Sequence, residues 1–250
     1  MCELLGFSAN TPTDIRPYLK TFFSHSVKHP HGWGMMREQE EREIIKEPVK
    51  ALDSKILKNV IDGTPPQTTM LAHIRFATIG RIRYDNCHPF TGTDRFGREW
   101  TLIHNGTIYS GKVMMQNLNR QKGDTDSERL FLAMLDRINS QERPMSQPER
   151  FALIDAFITE TAPRNKLNLM IYDGELLYIH KNMNQTLKYL KLPGAYLFST
   201  TELNDGIWQE FPLAQVMAFY AGKLAFQGQP HQGVFVPTLE YITAMDAMNI

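Results

Sequence analysis

The cysteine at position 2 stands where removal of the initiator Met1 would make it the amino terminus. A residue so placed carries a thiol and a free α-amine together. The amine's ordinary pKa, about 7.7–8.0, lies close to the thiol's, about 8.5. An amine balanced near neutrality suits general-base work, so nucleophile and base can share one residue, as in N-terminal threonine enzymes. The plainer reading is that Cys2 merely begins the apolar strand "CELLGF".

Three further stretches set small polar residues directly behind apolar runs: "HIRFATIG" (73–80), "LIHNGTI" (102–108) and "GDTDSE" (123–128). Loops at strand ends are where folds place binding groups. Arg75 lies inside an apolar run, and a buried guanidinium calls for a carboxylate, from the protein or from a ligand. Asn105-Gly106 reads either as a tight turn or as an oxyanion hole, with Asn supplying an amide donor and Gly an unshielded backbone N–H. Asp126 is either a helix first-turn acid or a partner for a substrate ammonium.

The elements that must position these residues follow from periodicity. "CELLGF" and "TMLAHIRFA" read as strands, and "GWGMMRE" and "EREIIKE" as two more joined by a charged turn. The helix in "TPTDIRPYLKTFFSHS" has Thr13 or Asp14 as its expected cap. "LDSKILKNVIDG" reads as a helix stopped by Gly63. "TIGRIRYDNCHPFTGTDRFGR" reads as loop, and "EWTLIHNG" as a strand ending in the Asn105-Gly106 turn. Two central helices follow, one behind "GDTDSE" and one capped by Ser146 with Pro148 in its first turn. Strands then return in "KLNLMIYD", "GELLYIHKN", "GAYLFST" and the hairpin "VMAFYAGKLAFQG". With no repeat or linker, residues 1–250 read as a single α+β domain of two antiparallel sheets with helices outside.

The ordered set "MC", "AHIRFATIG", "NCHPF", "IHNG" and "DTDSE" resembles the class II glutamine amidotransferases, which are N-terminal nucleophile hydrolases built as a four-layer αββα sandwich. The resemblance spans residues 2 to about 130 by motif. It implies Cys2 as nucleophile with its amine as base, and Asn105 and Gly106 as the oxyanion hole. It implies Arg75 and Thr78 as holders of the glutamine α-carboxylate, and Asp126 as holder of the α-ammonium. The implied activity is hydrolysis of the amide of glutamine, or of another γ-glutamyl compound, through a thioester with release of ammonia. Ile79 and Phe76 depart from the family pattern, where histidine and tryptophan are common, and Cys87 fills a position where a small residue is usual.

No synthetase domain follows, which implies the stand-alone YafJ-like type, one that passes ammonia to a separate partner enzyme or hydrolyses its substrate outright. The alternative is a catalytically silent glutamine-binding subunit of a partner enzyme. No cofactor is implied. Among the other candidates, Cys87 reads as core filler, His88 as a loop-stabilising hydrogen-bonder, and His73 and His104 as satisfied core groups. His25, His29 and His31 lack a completing Cys or acidic ligand, so no metal site is expected.

Composition sets the outer limits. Lys plus Arg, 27, equals Asp plus Glu, 27, so the chain lacks the basic footprint of a nucleic-acid binder. Absence of a leader or of a long apolar run leads us to expect a cytoplasmic chain not bound to membrane, and two cysteines make no disulfide framework.

Overall fold

The computed structural model describes residues 2–38, 41–239 and 241–243. In chain order the first part contains β1 (Glu3–Thr13), α1 (Arg16–Ser24), β2 (Trp33–Glu38), β3 (Arg42–Glu47), α2 (Leu57–Asp62), β4 (Gln67–Ile74), β5 (Phe90–Thr93) and β6 (Glu99–Thr107). The second part contains α3 (Asp126–Asn139), α4 (Gln147–Thr161), β7 (Lys166–Tyr172), β8 (Leu177–His180), β9 (Lys188–Leu192), β10 (Ala195–Ser199), β11 (Gln209–Glu210), β12 (Met217–Tyr220) and β13 (Lys223–Gln227).

Side-chain alternation along the strands builds the layers. In β1, Leu5 and Phe7 pack with Leu19, Phe22 and Phe23 of α1 and with Leu57 and Ile61 of α2. Leu4, on the opposite face, joins Leu71, Ile103, Met170 and Phe198 in a core between two sheets. Strands β6 and β7 behave in the same way: Leu102, Leu169 and Ile171 turn toward α3 and α4, while Ile103 and Met170 turn inward. Burial on both faces explains why these strands read as nearly continuous apolar runs. Each large apolar side chain so buried stabilises the fold by about 1.5–3 kcal/mol.

The sheets run β11-β9-β10-β1-β4-β2-β3 and β13-β12-β8-β7-β6-β5, and their neighbours pair antiparallel. Two helices cover each outer face, so the architecture is the expected α+β, four-layer αββα sandwich.

Several local expectations are corrected. The Asn105-Gly106 pair is no turn: Asn105 pairs with Asn168 and Gly106 with Leu167, and β6 continues to Thr107. The stretch read as loop holds β5, whose Phe90 pairs with Leu102; four residues are too short for periodicity to reveal. Neither Thr13 nor Asp14 is the cap of α1. Ile15 takes that place without a side-chain bond, while Asp14 accepts the Arg16 N–H at 3.0 Å from outside the helix. The helix read in 52–63 is confined to α2, after a 3-10 turn at Ala51–Asp53. Ser146 does cap α4, in a reciprocal box with Glu149.

One buried ion pair ties α4 to the β7–β8 turn. Asp173 Oδ2 accepts from Arg150 Nε at 2.7 Å and from the Tyr178 hydroxyl at 2.8 Å. Its Oδ1 accepts the backbone N–H groups of Glu175 and Leu176 at 2.9 and 2.7 Å. Removing one partner of such a pair strands a buried charge. Asp173→Ala is therefore expected to lower unfolding free energy by about 3–5 kcal/mol, read as a reduced urea midpoint.

Candidate functional site

Cys2 immediately precedes β1, and the pairing of Glu3 with Ile74 carries it to the end of β4. There the Phe76 N–H donates to Cys2 Sγ at 3.4 Å, and the thiol donates to the Phe76 carbonyl at 3.5 Å. Burial pushes the thiol pKa up, against the Phe76 bond and the positive charges of Arg75 and Lys166.

The histidines of 25–31 brace this corner. Glu3 accepts from His25 Nδ1 at 2.9 Å, His29 Nε2 at 3.2 Å and the Thr201 hydroxyl at 3.0 Å. His31 Nδ1 accepts the Ala77 N–H at 2.9 Å, and its ring lies 4.9 Å from that of Phe76. Their nearest partners are thus a carboxylate and the backbone that carries Cys2's neighbour. Among the described residues no cluster of three or more His, Cys, Asp or Glu is arranged to hold a metal ion.

Arg75, 3% exposed, follows β4. Among the described residues its guanidinium meets no carboxylate within ion-pair distance. It donates instead to the carbonyls of Arg81 at 3.0 Å, Ile79 at 3.0 Å and Gly80 at 3.2 Å. Gly80 turns with φ +83°, and a Cβ there would sit 2.7 Å from Asp124 Oδ1. Asp124 Oδ1 also accepts the Arg81 N–H at 3.1 Å. Asn86, from "NCHPF", donates to the Arg81 carbonyl at 2.8 Å and accepts the Asp124 N–H at 2.9 Å. Three of the motif segments are thereby locked together, and Thr78 stands exposed on the loop they fix.

Asn105 is 2% exposed. Its Oδ1 accepts from Lys166 Nζ at 3.3 Å, while its Nδ2 has no hydrogen-bond partner among the described residues. A Cβ on Gly106 would collide with the Lys166 carbonyl and the His104 ring, so only glycine fits. His104 Nε2 donates to the Lys166 carbonyl at 3.2 Å, leaving Nδ1 to accept from the Ser127 hydroxyl at 2.9 Å. Asp126, 4% exposed at the start of α3, accepts the Ile108 N–H through Oδ2 at 2.7 Å. Its helix is capped by Thr125, whose hydroxyl accepts the Glu128 N–H at 3.2 Å.

Arg75 and Lys166 both act on Cys2, Lys166 bonds Asn105, and Gly106 packs against the Lys166 carbonyl. Asp126 bonds the N–H of Ile108, two residues after Gly106, and Thr78 lies exposed on the loop after Arg75. Sequence reading missed Lys166. Its signal was a cation opening the apolar run "KLNLMIY", the same kind of anomaly that exposed Arg75. Burial brings Lys166 down to about 8, with the Cys2 charge opposing that fall.

The remaining candidates lie outside this group. Cys87 is fully buried against the Glu47 and Arg83 carbonyls, and burial raises its thiol to about 11. His88 is not a loop hydrogen-bonder: neither ring nitrogen has a partner among the described residues. Its ring lies tilted at 34° to that of His73, centroids 4.0 Å apart. Burial lowers both, His73 to about 3, so they are neutral packing groups. His73 Nε2 donates to the His104 carbonyl at 3.3 Å, leaving Nδ1 without a partner among the described residues.

The Glu3 brace has a defined pH signature. Burial alone would raise the Glu3 carboxyl, but the His25 and His29 hydrogen bonds overcome it and hold the pKa at about 2. The Glu3 bond raises His25, against burial. Glu3's contribution is complete above its unfolded value of 4.5 and is lost as pH falls toward 2. His25's is complete below 6.5 and is lost as pH rises through its folded value. Glu3→Gln is expected to flatten urea stability between pH 4.5 and 2 relative to the unmodified chain; identical slopes would remove the brace from the account.

Known proteins resemble the chain in sequence and in fold. The family described as class-II glutamine amidotransferases matches residues 1–205. YafJ of Escherichia coli (strain K12) is 32% identical over 190 residues, 74% of each chain. The uncharacterized protein MJ1515 of Methanocaldococcus jannaschii is 25% identical over 258 residues, 92% of this chain and 72% of that one. Among solved structures, a predicted glutamine amidotransferase from Pseudomonas aeruginosa PA01 superposes with TM-score 0.65 at 23% identity, covering 89% of this chain and 99% of that one. The allosteric regulatory enzyme of purine biosynthesis superposes with TM-score 0.70 at 15% identity, covering 92% of this chain and 49% of that one. At those identities the structural likeness speaks for the fold. The match across residues 1–205 goes further: the chain belongs to the class-II glutamine amidotransferases.

Proposed function

We propose that this chain hydrolyses the side-chain amide of glutamine, or of a γ-glutamyl compound, through Cys2, working as one domain over residues 1–250. The observation that carries the reading is the buried, unpartnered Asn105 Nδ2 beside Lys166, whose charge acts on the Cys2 sulfur. A buried amide donor without an acceptor costs about 1–3 kcal/mol, and an oxyanion formed during reaction supplies the missing acceptor.

In this mechanism removal of Met1, which lies outside the described residues, frees the Cys2 α-amine. The amine takes the thiol proton, and the sulfur attacks the amide carbon. Charge on the resulting oxyanion is met by Asn105 Nδ2 and the Gly106 N–H. Collapse breaks the C–N bond, the protonated amine returns its proton to the leaving nitrogen, and ammonia departs from a γ-glutamyl thioester. Water, deprotonated by the same amine, cleaves the thioester to a carboxylate and restores the thiol. Arg75 keeps donors beyond the three used on carbonyls; with Thr78 it receives the substrate α-carboxylate. Asp126 receives the α-ammonium. The ammonia leaves directly or passes to a separate enzyme, and the two unpaired thiols suit a reducing, cytoplasmic setting.

The test is ammonia release from glutamine and a panel of γ-glutamyl amides, with the intact mass of the native chain read alongside. Cys2→Ala is expected to abolish turnover, and Asn105→Ala to lower it by about 10²–10³. Ammonia release surviving in Cys2→Ala, or a native chain that retains Met1, would defeat the mechanism.

A further inference from the structure

The strand β7 places a lysine where the proposed reaction develops its charge. Lys166 is 2% exposed and pairs opposite Thr107, one residue beyond the Asn105-Gly106 pair. Its backbone is held from both neighbouring strands, since the Lys166 carbonyl accepts from His104 of β6 and the next carbonyl, that of Leu167, accepts from His180 Nδ1 of β8 at 2.6 Å. An ammonium has three donors and no acceptor. An amide bound to it must therefore present oxygen, and the Asn105 contact is made through Oδ1. That leaves Nδ2 as the open end.

We propose that Lys166 is a positioning residue of the amide-hydrolysis site: its ammonium fixes the Asn105 side chain with Nδ2 free for the oxyanion and adds positive charge beside the Cys2 sulfur. The proposal rests on the hydrolysis reading above and adds to it a group not seen in the motifs. Either amide orientation fits an asparagine between strands, but only one supplies a donor to an oxyanion. A neutral residue at 166 would leave that choice open. Charged and titratable groups that act on the ammonium include Cys2 before β1 and His104 on β6. Arg75, after β4, also acts on Cys2, and Asp126 on α3 and His180 on β8 each act on His104 or are acted on by it. Burial lowers His180 to about 3 and lowers His104 against the Asp126 charge, so both imidazoles are neutral where the ammonium is present. Burial also brings Lys166 itself to about 8, which puts loss of the ammonium within reach of a pH profile.

The experiment compares the full chain with Lys166→Met, using glutamine or whichever γ-glutamyl amide the unmodified chain turns over. Expected are a fall in kcat of about 10²–10³ with KM changed by less than about threefold, and loss of the basic limb near pH 8. Thermal stability should fall only modestly, because the variant leaves Asn105 Oδ1 without its donor while removing the desolvation cost of a buried charge. Unaltered kcat and an unaltered basic limb would overturn the proposal. So would a variant that fails to fold, since the lysine would then be structural. A second readout needs no turnover: the rate of Cys2 alkylation by iodoacetamide at pH 7–8, read by mass at that residue. About tenfold slower alkylation in Lys166→Met, one pKa unit on the thiol, supports the charge effect, and equal rates oppose it. If the unmodified chain releases no ammonia from any substrate while alkylation still slows, the hydrolysis reading falls and the electrostatic link between Lys166 and Cys2 stands.

Discussion

The register of β1 against β4 is the constraint on which the rest depends. Glu3 opposite Ile74 brings the sulfur of Cys2 to the Phe76 peptide. The same register points Leu4 and Leu71 into the core between the sheets and Leu5 and Ala72 toward α1 and α2. A slip of one residue would exchange these faces along the whole strand. It would also separate Cys2 from the loop that Arg75 anchors. The position of the Cys2 sulfur is thus secured by apolar burial distributed over two cores.

Around that sulfur the molecule keeps positive charge and holds three buried imidazoles neutral. Arg75 and Lys166 act on Cys2, whereas His73, His88 and His104 are lowered by burial into the neutral form. Imidazoles in this core therefore pack and hydrogen-bond without competing as bases. In the proposed mechanism no imidazole is needed as base, because the nucleophilic residue carries its own.

The polar loops are held by one another more than by the sheets. Arg75 spends its donors on the carbonyls of Ile79, Gly80 and Arg81. Asn86 and Asp124 bind the same turn from two other segments. Carbonyls can stand in for a carboxylate here because each relieves part of the guanidinium's desolvation cost, and together they shape a loop that an ion pair would not. Glu128 extends the interlock by accepting the N–H groups of Lys122 and Gly123 at 2.7 Å each.

Much of the fold was legible because local chemistry and periodicity agreed. The long strands, the two central helices and the Ser146 cap follow from side-chain spacing. The site motifs were legible as residue types that sit uneasily in their settings, such as Arg75 behind an apolar strand and a cysteine at position 2. Other features were decided only by the tertiary structure. Asn105-Gly106 has turn composition, yet pairing with Asn168 and Leu167 holds it extended; β5 exists because β6 lies beside it. Lys166 carries no local signal of its partner; folding sets it against Asn105 from a strand some sixty residues away. The amino-acid sequence by itself determined which groups are available and which faces are apolar, because those properties are local. Which donor each buried acceptor meets depends on strand partners distant in the chain, and only the packed sheets choose them.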